Sequence, residues 1–80
     1  MFRKLVKTEG FEVEGRIYPV RYYATKTVHG ARRYSAEVLL GPSDLIIIDD
    51  SSVNNLEARL AHLVPATLYC RLLAGRATAA

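Results

Sequence analysis

Leu45-Ile46-Ile47-Ile48-Asp49-Asp50-Ser51-Ser52-Val53-Asn54-Asn55-Leu56-Glu57-Ala58-Arg59-Leu60 is the stretch in which the periodicity of this chain changes. Before Asp49 the apolar residues come in short runs separated by glycine turns, as strands do. After it Leu56, Leu60, Leu63, Val64, Leu68, Leu72 and Leu73 recur at the spacing of a buried helix. The change predicts an α+β domain: a small antiparallel β-meander of three to five strands packed against a C-terminal helix kinked or broken near Pro65. On this reading residues 1–50 form the sheet, 51–75 the helical part and 76–80 a loose tail.

Working back from Ile48, the run Leu45–Ile48 is continuously apolar, which implies burial on both faces or a central place in the sheet. Gly41-Pro42-Ser43-Asp44 supplies the turn before it. A three-residue loop at His29-Gly30-Ala31 pairs Tyr22 with Val38, Ala24 with Ala36, Val20 with Leu40 and Lys26 with Tyr34. It thereby collects one apolar face, whereas a two-residue loop scatters it. Leu45 and Ile47 are then expected on the core face, with Ile46 and Ile48 on the other.

Further upstream Gly15 marks either a two-residue turn with Glu14 or a bulge, and Pro19 points to an edge or a bulge. Thr8-Glu9-Gly10 reads as a turn, and the strand count depends on whether residues 2–7 add one.

Working forward, the helix starts between Ser51 and Asn54, with Asn54 and Glu57 spaced as a capping box. Asp49 and Asp50 sit before its positive end. Pro65 removes the donor to the Ala61 carbonyl, hence the expected kink or break. Gly75 is a suitable residue to end the helix.

Eighty residues make one domain near the lower limit for a core without staples. Half the residues are hydrophobic (50%) and 24% charged, and no apolar run spans a bilayer, so no membrane partner is expected. No export signal is visible, and Cys70, the single cysteine, reads as a buried thiol in a reducing, cytoplasmic setting. The net charge of +3 is uneven: residues 1–40 carry +4 and the remainder −1.

The run Leu45–Asp50 resembles the Walker B pattern, in which a buried strand ends in acids that hold Mg²⁺. That resemblance implies a metal-dependent hydrolase at Asp49 and Asp50. The Gly-rich phosphate loop that such enzymes need does not occur. His29, His62, Ser35, Ser51, Ser52 and Cys70 form no nucleophilic or zinc-ligand signature, so no catalytic residue, cofactor or metal site is assigned.

The basic half is the candidate nucleic-acid surface: Arg21, Tyr23 and Arg33, with Lys26 and Arg32 nearby, combine cations with a ring that can stack on a base. Leu68, Tyr69, Leu72 and Leu73 are the candidate protein interface, because the second half of the helix is apolar nearly all round and one sheet face cannot cover it. The expectation is a small non-enzymatic interaction module that binds itself as a homodimer or serves another protein as an accessory subunit. A nucleic-acid-binding domain is the alternative.

Overall fold

The computed structural model describes residues 3–79. Four strands, β1 (Arg3–Val13), β2 (Arg16–Lys26), β3 (Arg32–Gly41) and β4 (Asp44–Asp50), precede one helix, α1 (Val53–Ala79). The sheet is an antiparallel meander in the order β1-β2-β3-β4, and the helix lies across one face of it. The expected α+β architecture is therefore present, with a strand over residues 3–7. Thr8-Glu9-Gly10 does not turn but continues β1, while Phe2 lies outside the described residues.

Local chemistry sets the turns. Positive φ at Glu14 (49°) and Gly15 (79°) makes a two-residue turn whose twist suits a hairpin. It puts Phe11, Val13, Tyr18, Val20 and Tyr22 on one face. The β2–β3 connection is longer than expected. Thr27 N donates to the Ala31 carbonyl at 2.9 Å, Gly30 N donates to the Thr27 carbonyl at 3.0 Å, and Ala31 N donates to Thr27 Oγ1 at 3.1 Å. These bonds close the loop from Thr27 to Ala31, so Val20 pairs with Val38, Tyr22 with Ala36, Ala24 with Tyr34 and Lys26 with Arg32. The expected register is off by two residues. A two-residue slip preserves which side chains share a face, so Val20, Tyr22, Ala36 and Val38 still line the core.

In β4 the face itself differs. The β3–β4 register shifts between Leu39 and Gly41, which leaves Leu40 as an extra residue and reverses the alternation. Ile46 and Ile48 therefore face the helix, opposite Val38 and Ala36, while Leu45 and Ile47 stand outward. β4 is also an edge strand, not a central one. Pro19 lies in an inner strand, but the β2–β3 ladder ends at Val20, one residue short of it. There β2 has only β1 as a partner.

Ser52 caps α1. Its Oγ accepts from Asn55 N at 3.1 Å and its carbonyl from Leu56 N at 3.2 Å, so the helix starts before the Asn54–Glu57 box can form. Pro65 lies inside one continuous helix and does not break it. Ala61 and Pro65 are both exposed, so water can satisfy the carbonyl that loses its partner. The helix also continues through Gly75 to Ala79, where a loose tail was expected. Cys70 is exposed, not buried, since it lies two residues past Leu68 and points off the core stripe.

Leu56, Leu60 and Val64, spaced by four, form the buried helical stripe. Leu60→Ala is expected to cost about 2–5 kcal/mol, a large part of the stability of so small a domain, and to lower the urea midpoint sharply. Leu39→Ala on the outer face is expected to shift it little, by less than about 1 kcal/mol. Circular dichroism in urea checks both.

Candidate functional site

The outer sheet face carries Arg21, Tyr23 and Arg33, as the sequence reading placed them, but most of its charge is engaged. The Arg3 guanidinium lies 4.1 Å from the centroid of the Tyr23 ring and its Nη1 is 2.6 Å from Glu37 Oε2. Arg33 Nη2 donates to Asp49 Oδ2 at 2.8 Å. Arg21 makes no ion pair among the described residues. Between these groups stand Leu5, Ile17, Leu39, Leu45 and Ile47, all substantially exposed.

Lys26 and Arg32 belong to the opposite face, so the candidate nucleic-acid set divides between the two sides of the sheet. Here they join Lys4 and Tyr34 around a cleft of about 680 Å³ that Leu5, Val6, Ala24 and Thr25 also line. Lys4 reaches this face because β1 carries a bulge. The register shifts between Leu5 and Lys7, leaving Val6 over, so that Lys4 and Lys7 oppose Ala24 and Tyr22 on the same side. An unbroken alternation would have put Leu5 there. A bulge leaves no mark in the hydrophobic pattern, so sequence reasoning missed Lys4 and Tyr34.

The second half of α1 bounds another cleft. Leu68 is half-buried against the core, whereas Tyr69, Leu72 and Leu73 are exposed, so the four candidate interface residues divide as well. Tyr69 and Leu72 line an opening of about 740 Å³ together with Pro65, Leu68, and Val13 and Tyr18 of the β1–β2 hairpin. Arg71 holds this part of the helix to the start of β4, with Nε 2.9 Å from Asp44 Oδ2 and Nη2 3.1 Å from Oδ1. The Arg71 bonds hold the Asp44 carboxyl below its usual range.

Asp49 and Asp50 diverge, as neighbours in a strand must. Asp49 joins Arg33 on the outer face. Asp50 turns inward, where its Oδ1 accepts from Asn55 Nδ2 at 2.9 Å and Ser51 N at 2.7 Å, and its Oδ2 from Arg59 Nη1 at 3.2 Å. These donors, Asn55 foremost, lower its pKa to about 2. The two carboxylates thus do not converge on a common ion. Among the described residues no three His, Cys, Asp or Glu side chains gather as metal ligands, and no helix is long and apolar enough to cross a membrane.

One polar group enters the core. Tyr22 is buried with its hydroxyl donating to Glu9 Oε1 at 2.6 Å. Lys7 Nζ lies 5.0 Å from the centroid of its ring and within 3.6 Å of both Glu9 and Glu57. Burial first, and then the bond to Glu9, raises the pKa of the phenol far above its ordinary value. The group joins β1, β2 and α1. Comparison of the chain with family models, with curated proteins and with solved structures gives no match.

Because the folded pKa of Asp50 lies below the unfolded value of about 3.9, its stabilising contribution is complete above that pH and is lost as pH falls toward about 2. Thermal melts from pH 5 to 2 should show Asp50→Asn less stable than wild type at the upper end and the difference shrinking at the lower end.

Proposed function

We propose that this chain is a small non-enzymatic interaction module that forms a homodimer through the second half of α1. The observation that carries the reading is the exposure of Tyr69 (62%), Leu72 (52%) and Leu73 (44%) beside an open cleft in which Val13, Tyr18, Pro65 and Leu68 are joined by the charged Glu14, Arg16 and Arg71. At ~25 cal/mol per Å², leaving such side chains wet forgoes a large stabilisation and favours aggregation unless a partner covers them. A second copy suits the surface because a ridge, Leu72 and Leu73, adjoins a groove, Val13 and Tyr18, on one molecule. A two-fold axis brings each ridge to the other copy's groove, and one patch then serves both sides. A reducing, cytoplasmic compartment belongs to the same reading, since Cys70 is exposed on this helix and would cross-link copies under oxidising conditions.

Sedimentation equilibrium tests the proposal. The wild type should run at twice 8.9 kDa at high micromolar concentration. Leu73→Glu should give a folded monomer, whereas Leu60→Glu, facing the sheet, should unfold the domain. A wild-type monomer under those conditions overturns the reading, and association with an unrelated protein would then be the route by which the ridge is covered.

The nucleic-acid alternative finds less support on the outer face, where Arg33 is held by Asp49, than around Lys26 and Arg32, which are unpaired among the described residues.

A further inference from the structure

We propose that the cleft at the β2–β3 loop end of the inner sheet face binds the phosphate of a nucleotide, with Lys4, Lys26 and Arg32 as anion ligands and Tyr34 as the surface for the base. Three observations converge on it. First, Lys26 and Arg32 are directly opposed across β2 and β3. Like charges in that position destabilise a sheet, and an anion lying between them relieves the repulsion. Second, none of the three cations forms an ion pair among the described residues, although Arg3, Lys7, Arg33, Arg59 and Arg71 all do. Third, the bulge at Val6 brings Lys4 to this side, where regular alternation would have placed Leu5.

The chemistry of the cleft selects the class of ligand. A phosphomonoester carries about −1.5 to −2 charge at pH 7 and three strong acceptor oxygens, a better match to three cations than one carboxylate. The remaining walls, Leu5, Val6, Ala24 and Tyr34 with Thr25 the one further polar residue, are mostly apolar or aromatic and suit a planar body. A volume of about 680 Å³ is within the range of small-molecule sites. The helix does not fill this part of the sheet: no residue of α1 lines the cleft, and the buried stripe of the helix begins at Leu56. A nucleoside phosphate offers both the charge and the ring, either free or as the 5′ end of a single strand.

The test is titration of isotopically labelled protein at low salt, followed by amide NMR, with four probes: AMP, adenosine, inorganic phosphate and a 5′-phosphorylated single-stranded octanucleotide. AMP should move the amides of Ala24, Lys26, Arg32 and Tyr34, adenosine should not, and inorganic phosphate should bind more weakly than AMP. Tighter binding of the octanucleotide than of AMP would identify a strand end as the source of the phosphate, and equal binding the free nucleotide. Lys26→Glu is the decisive variant, because it converts the opposed pair to Glu and Arg. It should raise the melting temperature while weakening AMP binding about tenfold or more. No shift with AMP or octanucleotide at millimolar concentration, shifts mapping elsewhere, or equal binding of adenosine and AMP overturns the proposal.

Discussion

Leu56, Leu60 and Val64 of α1 meet Val20, Tyr22, Ala36 and Val38 of β2 and β3 in the one layer where, among the described residues, side chains lose all contact with water. Among the described residues one helix and one sheet form no second core to compensate for a defect, and their remaining apolar residues pack around this layer or stand outside it. The four-residue spacing of the stripe keeps it on one line of the helix, so it covers two strands well and the flanks poorly. The open clefts on either side follow directly. A single narrow stripe on a four-stranded sheet leaves uncovered ground at both ends of the inner face.

The polar attachments show how the flanks are held in place without being buried. Asp50 and Arg59 tie the start of the helix to the end of β4, and Arg71 ties its later part to Asp44 at the other end of the same strand. On the far side Lys7 bridges Glu9 and Glu57, and Tyr22 anchors Glu9 from within the core. Exposed ion pairs of this kind contribute little each. Their geometric effect is larger than their energy, since both long edges of the sheet are positioned under the helix at defined points.

Much of this was legible before any coordinates. The change of period at Asp49 and the membership of the β2–β3 core face follow from side-chain alternation, which depends only on parity, whereas Gly15 read equally as a two-residue turn or a bulge. Register does not: the loop from Thr27 to Ala31 is set by a threonine side chain and a glycine in the left-handed region, and it changed every pairing by two residues while altering no face. The two bulges are the deeper obstacle. One extra residue at Leu40 reversed the faces of β4, and one at Val6 turned Lys4 inward, yet neither residue differs in type from its neighbours in a way that marks it. The candidate cations were therefore found in part and grouped wrongly. The apolar second half of the helix was visible, but not that Pro65 leaves it continuous.

The nearest-neighbour order of the strands has a consequence for synthesis. Each strand pairs with the one just made, so all ladders can close as the chain emerges, with small loops and low entropic cost. The stripe that covers Val20, Tyr22, Ala36 and Val38 is translated after all four strands. For several seconds at ordinary elongation rates the nascent sheet therefore presents to its surroundings the apolar face that the helix later covers. During that interval an uncovered hydrophobic surface, and not any slow step of strand pairing, makes the chain vulnerable to misassociation and dependent on whatever shields nascent chains.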